Sequence, residues 1–263
     1  MQHIEILNPI NSGRYGTVYK AFDHKANHHR AVKVLPHKRH DVDKSQYSVM
    51  RNNEIANMTK MNGHKHIVHL YDVLQDDDNT YLVEEFCNGK TLCESIRDKD
   101  LSIEDKRKAL THILHAISGC HTKGIVYCDL KPSNIIYSED SKCFKLTDFG
   151  SSIDLNKEQR SSMLLTPFYT PPEMLESFTI SYAFDVWNIG IITYMLLYNK
   201  HPFFENSFDP SLLYHPLVFP VEASSRERFF IESALCTKPE DRPTVLDLIH
   251  YLQQYSIYYP SNC

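Results

Sequence analysis

The sequence predicts an α+β protein of two lobes: a small N-terminal antiparallel sheet with one main helix, then a larger and mainly helical C-terminal lobe. Apolar and polar positions alternate through roughly the first eighty residues, as in Thr17-Val18-Tyr19-Lys20-Ala21-Phe22 and Arg30-Ala31-Val32-Lys33-Val34-Leu35, which is the period of strands. Beyond the turn signal Asn88-Gly89 the period becomes helical, with Leu110, Ile113, Leu114 and Ile117 on one stripe. A chain of 263 residues, 42% of them hydrophobic, can bury one large domain or two closely packed lobes.

Along the chain, a glycine-bearing hairpin is expected at Asn11-Ser12-Gly13-Arg14-Tyr15-Gly16-Thr17-Val18, followed by the strand holding Lys33. Ile55, Met58 and Met61 recur at helical spacing within a helix predicted from Ser45 to Met61, and Thr80-Tyr81-Leu82-Val83 is the next strand. In the second lobe, Trp187 to Tyr198 reads as a buried helix, because Asn188 and Gly190 interrupt it and it is too short to span a bilayer. No repeat or low-complexity tract interrupts the series. His28-His29 and His64-Lys65-His66 fall at turn-like places without nearby thiols and read as solvated turn histidines rather than metal ligands.

The formal net charge of −5 offers no electrostatic case for binding nucleic acid or an anionic membrane. Seven cysteines, odd in number and never paired as C-x-x-C, suit reduced thiols in an intracellular protein, cytoplasmic for preference. Met1 to Glu5 lacks the basic flank and apolar run of a secretory signal, and Pro260 to Cys263 does not form a prenylation box.

The chemistry concentrates in Cys128-Asp129-Leu130-Lys131-Pro132-Ser133-Asn134, followed fourteen residues after Asn134 by Asp148-Phe149-Gly150. Such a set offers a base, a point cation and two oxygen ligands for a metal ion, the parts that phosphoryl transfer needs. Upstream, alternation puts Ala31 and Lys33 on one strand face. A buried lysine needs a partner, and Glu54 lies on the helix between the strands. Taken alone, the glycine loop is an ordinary hairpin; taken with the other motifs it is not.

Together these motifs, with Thr166-Pro167-Phe168-Tyr169-Thr170-Pro171-Pro172-Glu173, Asp185-Val186-Trp187-Asn188-Ile189-Gly190 and Glu240-Asp241-Arg242-Pro243, resemble those of eukaryotic protein kinases, from about Ile10 to Leu252. The resemblance implies a bilobal kinase fold in a single domain, 1–263, with an N-lobe of 1–84, a hinge of 85–90 and a C-lobe of 91–263. It implies ATP and Mg2+ as cofactors and protein substrates as partners, and it leaves room for a regulatory protein. Asp129, Lys131, Lys33 and Glu54 take catalytic roles by this likeness, and Asn134 and Asp148 hold the metal. Ile10, Asn11, Gly13, Gly16, Val18, Ala31, Lys33 and Ile136 surround the nucleotide, with the backbones of Glu85 and Cys87 on the adenine edge. Thr166 would bond Asp129 and Lys131, Asp185 would hold the catalytic-loop backbone, and Arg242 would pair with Glu173.

Lys131 two positions after Asp129 points to serine/threonine rather than tyrosine kinases. Four positions depart from the family pattern. Asn11 replaces a glycine and is tolerated there for its access to positive φ; Glu84 occupies the gatekeeper position unless the hinge is shifted by one residue. Tyr127 and Cys128 replace His-Arg. Tyr127 can pack against Phe149, whereas Cys128 offers no cationic fork for an activating phosphate on Ser151, Ser152, Ser161 or Ser162. An active serine/threonine kinase independent of activation-loop phosphorylation is the leading expectation, a nucleotide-binding pseudokinase the alternative. A small-molecule kinase fits less well, since a metabolite needs no peptide-docking segment.

Overall fold

The computed structural model describes residues 3–13, 16–38, 44–157, 166–204, 207–255 and 257. Strands β1 (Ile4–Ser12), β2 (Thr17–Asp23), β3 (His28–Pro36), β4 (Leu70–Gln75) and β5 (Asn79–Glu85) form one antiparallel sheet in the order β1-β2-β3-β5-β4, and helix α1 (Lys44–Met61) lies between β3 and β4 in the chain. Aspartates build two of its turns. Asp23 Oδ1 accepts from the amides of Lys25 and Ala26, and Asp76 Oδ1 from those of Asp78 and Asn79, the local bonding that makes Asp a turn former. Strand β4 has no clean alternation because a register shift falls between Leu70 and Asp72, so sequence periodicity does not reveal it.

The second lobe holds α2 (Leu92–Asp98), α3 (Ile103–Thr122), β6 (Ile125–Val126), β7 (Ile135–Ser138), β8 (Cys143–Leu146), β9 (Ile153–Asp154), α4 (Pro172–Glu176), α5 (Ala183–Tyr198), α6 (Ser225–Ala234) and α7 (Val245–Gln254). Reciprocal capping boxes start α2, α3, α6 and α7, joining Thr91 to Glu94, Ser102 to Asp105, Ser224 to Glu227 and Thr244 to Asp247. Each cap contributes about 1 kcal/mol, and its spacing is a readable signal for α2, α6 and α7, which lack a long apolar stripe. Helix α5 is apolar nearly all round and is correspondingly buried. One continuous core runs from Met58, Met61 and Leu82 in the sheet lobe through Tyr127 and Phe149 to Trp187 and Ile191, so the lobes share their packing.

The histidine expectation is half wrong. His28 and His29 are exposed at the start of β3, but His66 is only 8% exposed and stacks on His112 of α3, centroids 4.1 Å apart and planes 20° apart. Burial and the neighbouring His112 push His66 down to about 3; burial brings His112, with Lys108 near it, to about 4. Two neutral rings can stack where two cations would repel. Among the described residues no group of three or more His, Cys, Asp or Glu is arranged to hold a metal ion. The six described cysteines are free, and no described helix is long and apolar enough to cross a membrane.

Candidate active site

A cleft of about 550 Å³ opens where the sheet faces the second lobe, and Ile10, Asn11, Val18, Ala31, Lys33, Glu84, Glu85, Cys87, Asn134, Ile136 and Asp148 line it. Strand register explains the upper wall: Ala31 lies opposite Glu84 and Lys33 opposite Leu82, so alternation turns Ala31, Lys33 and Glu84 to one face. Val68, Phe86, Thr91, Cys93, Ser133 and Thr147 also line the cleft; their positions beside the motifs are the only sequence signal for them.

Gly13 and Gly16 are not part of this wall. The Gly13 amide donates to the Gly16 carbonyl at 2.9 Å, and Arg14 and Tyr15 lie outside the described residues. A Cβ on Gly16 would stand 2.2 Å from the Val34 carbonyl oxygen, so close backbone approach between β2 and β3 demands this glycine. Asn11 pairs with Val18 inside β1 and has no positive φ. Its tolerance therefore rests on ordinary strand geometry, not on access to the left-handed region.

Lys33 Nζ donates to Glu54 Oε1 of α1 and, at 2.8 Å, to Asp148 Oδ1. Burial alone would lower the lysine, but Asp148, Glu54 and Glu84 together hold it above its ordinary value. Burial likewise opposes ionisation of Asp148, yet the Lys33 ammonium and the Gly150 amide keep its carboxyl below the usual range. Asp148 is thus a carboxylate with Oδ1 committed to Lys33 and Gly150.

In the loop that leads to Asn134, Lys131 Nζ donates to both oxygens of Asp129, at 2.9 and 2.7 Å, and to Thr166 Oγ1 at 3.2 Å, and none of these three residues lines the cleft itself. Thr166 Oγ1 in turn donates to Asp129 Oδ1 at 2.8 Å. Asn134 Nδ2 donates to the Asp129 carbonyl and to Asp129 Oδ2, which leaves the Asn134 side-chain oxygen for another partner. Burial raises the Asp129 carboxyl despite Lys131 and Thr166, a direction that suits a group accepting a proton. Asp185, fully buried, accepts from the Tyr127 and Cys128 amides at 2.8 Å each. It holds Cys128 at φ 66°, while Asp148 sits at φ 61°; such non-glycine conformations cost about 1–3 kcal/mol each and persist only under surrounding constraint. The Tyr127 ring meets Phe149 edge-on at 5.2 Å and its hydroxyl donates to the Thr147 carbonyl.

Glu84 is 4% exposed, and its Oε1 has no hydrogen-bond partner. Burial, only partly offset by Lys33, pushes its carboxyl from 4.5 up to about 8. The folded protein therefore holds a proton that the unfolded chain releases between those values, so stability falls as pH rises through that window, by at most about 1.4 kcal/mol per pH unit. Glu84→Gln keeps the shape and removes the titration. Denaturant unfolding across pH 5 to 9 should show a shallower decline for the variant; parallel curves would place the titrating group elsewhere.

The segment after Asp148 corrects another expectation. Ser152 is buried, its hydroxyl donating to the Phe149 carbonyl at 2.6 Å and accepting from Asn57 Nδ2 at 2.9 Å, so it is a packed residue and not an accessible phosphorylation site. Ser151 is half-buried, and Ser161 and Ser162 lie outside the described residues. Cys128 is buried with its thiol on the Val126 carbonyl, where it can receive no phosphate.

The family model of the protein kinase domain matches residues 4–253. CDPK-related kinase 1 of Arabidopsis thaliana is 32% identical over 209 residues, which are 76% of this chain and 36% of that protein. CDPK-related kinase 5 of the same plant is 29% identical over 94% of this chain and 43% of its own length. Calcium-dependent protein kinase 5 of Plasmodium falciparum (isolate 3D7) is 34% identical over 74% of this chain and 34% of its own length. The chain thus spans less than half the length of these curated relatives.

Proposed function

The chain belongs to the protein kinase domain family, and on that premise we propose that it transfers the γ-phosphate of ATP to serine and threonine hydroxyls of protein substrates. The observation that carries this reading is the assembled bonding of Asp129, Lys131 and Thr166, joined through Asn134 to a cleft that Asn134, Lys33 and Asp148 line. Asp129 is the base that orients the acceptor hydroxyl and takes its proton; Lys131 steadies the transferred phosphate; Lys33, oriented by Glu54, holds the phosphates of ATP. The Asn134 side-chain oxygen and the Asp148 carboxylate are hard oxygen donors that suit Mg2+, which when bound would neutralise phosphate charge. The apolar bed of Ile10, Val18, Ala31 and Ile136 suits the adenine, with the Glu85 and Cys87 backbones at its edge. Residues 1–263 act as one kinase domain hinged at 85–90, and the free cysteines suit the reducing cytoplasm.

Phosphorylation of a peptide library by the purified chain with Mg2+-ATP tests the reading, with phosphoserine and phosphothreonine as the expected products. Phosphotyrosine alone, or transfer only to sugars or aminoalcohols, would refute it. The scaffold reading draws on Glu84, which joins Glu54 as a second buried carboxyl beside Lys33, and requires nucleotide binding without turnover.

Because Cys128 provides no receptor for phosphate, activity does not depend on phosphorylation of the activation segment. Replacing Ser151, Ser161 and Ser162 together by Ala should lower turnover by less than about threefold, under 1 kcal/mol of barrier. Loss of most turnover on phosphatase treatment, regained on rephosphorylation, would contradict this.

A further inference from the structure

Helix α1 carries Glu54, and one turn further along the same helix Asn57 is 1% exposed. Its Nδ2 donates to Ser152 Oγ at 2.9 Å and to the Ser152 carbonyl at 3.2 Å, while Asn57 Oδ1 is buried without a partner. Ser152, itself 2% exposed, stands four residues after Asp148 and is closed onto Phe149 by both its amide and its hydroxyl. The two elements tied here are therefore the two whose carboxylates, Glu54 and Asp148, grip Lys33. A buried amide with an orphaned oxygen is costly, and its two donor contacts are the interactions that offset that cost.

A second rung lies one turn on. Lys60 Nζ reaches Asp154 Oδ2 at 2.7 Å, and β9, which contains Asp154, pairs with β6 just before the Tyr127-Cys128-Asp129 segment. Both rungs join α1 to the chain after Asp148, the first through uncharged groups and the second through the Lys60 ammonium and the Asp154 carboxylate.

We propose that Asn57 and Ser152 are positioning residues for phosphoryl transfer: they hold α1, and with it Glu54, against the segment carrying Asp148 in the absence of any phosphate. The proposal rests on the kinase reading above. It supplies what the loss of a basic residue at Cys128 takes away, because the alignment that a phosphate and an arginine would enforce from outside is enforced here by a buried hydrogen bond.

The test combines kinetics with hydrogen exchange on the full chain. Asn57→Ala and Ser152→Ala should each lower kcat by about tenfold, or 1.4 kcal/mol of barrier, with KM for ATP changed less than about threefold. The double variant should be no slower than the slower single one, as for two halves of one interaction. Undiminished kcat in both folded single variants, or a double variant slowed by the product of the two effects, would overturn the proposal. In wild-type protein stripped of phosphate, the amides of residues 54–60 should exchange as slowly as in phosphorylated protein; rapid exchange that slows only on phosphorylation would overturn it equally, even if the alanine variants do not fold. A wild-type chain that transfers no phosphate would sink the kinase reading instead, and the exchange result would still decide whether the tie holds α1.

Discussion

Asp148→Asn and Lys33→Met should each lower phosphoryl transfer by about a thousandfold or more, in protein that remains folded. Asp148 is held as a carboxylate by Lys33 and the Gly150 amide. The amide of asparagine keeps its size while removing the charge a cation needs. Lys33→Met removes the ammonium that bridges Glu54 and Asp148 and, in the kinase reading, leaves the phosphates without their anchor. Glu54 is then stranded in the core and is neutralised by taking up a proton, which lets the fold survive. Steady-state turnover with Mg2+-ATP, alongside thermal unfolding, checks both variants. Wild-type turnover in Asp148→Asn would move the metal site to other residues.

The largest effect on stability should come from Arg242. Its guanidinium is wholly buried and spends all five donors: two on Glu173, at 2.8 and 2.7 Å, and one each on the carbonyls of Cys236, Ala183 and Thr237. Removing one member of a buried pair strands the other and costs about 3–5 kcal/mol, a large fraction of the 5–15 kcal/mol typical of a domain. Arg242→Ala should show that loss in urea unfolding. Arg242→Lys should recover little of it, since an ammonium cannot reproduce the planar fork. A loss below about 1 kcal/mol for Arg242→Ala would mean that water or a rearranged neighbour replaces the guanidinium.

Much of this was legible because the informative signals are local. Alternation places Lys33 beside Ala31, and Asp129, Lys131 and Asn134 sit within one short loop, so their proximity needs no tertiary knowledge. What escaped the sequence depends on contacts between distant segments. Ser152 looks like an exposed loop serine until Asn57, 95 residues away in the chain, closes on it. His66 looks like a solvated turn residue until α3 brings His112 against its ring. Gly16 suggests a ligand-facing glycine, whereas the hairpin register puts the Val34 carbonyl where its side chain would be. The register shift in β4 hides that strand from periodicity, and the short helices α2, α6 and α7 carry too few periodic positions, so that only their caps announce them.

Whether the assembled cleft catalyses or only binds is decided most directly by single-turnover transfer from labelled ATP to a serine/threonine peptide, measured beside nucleotide binding for the wild-type chain and Asp129→Asn. Asp129 touches the acceptor hydroxyl rather than the nucleotide in this reading, so the variant should bind Mg2+-ATP within about threefold of wild type and transfer phosphate at least about a hundredfold more slowly. Equal nucleotide binding with no transfer above background from either protein would contradict the kinase reading and leave a nucleotide-binding scaffold.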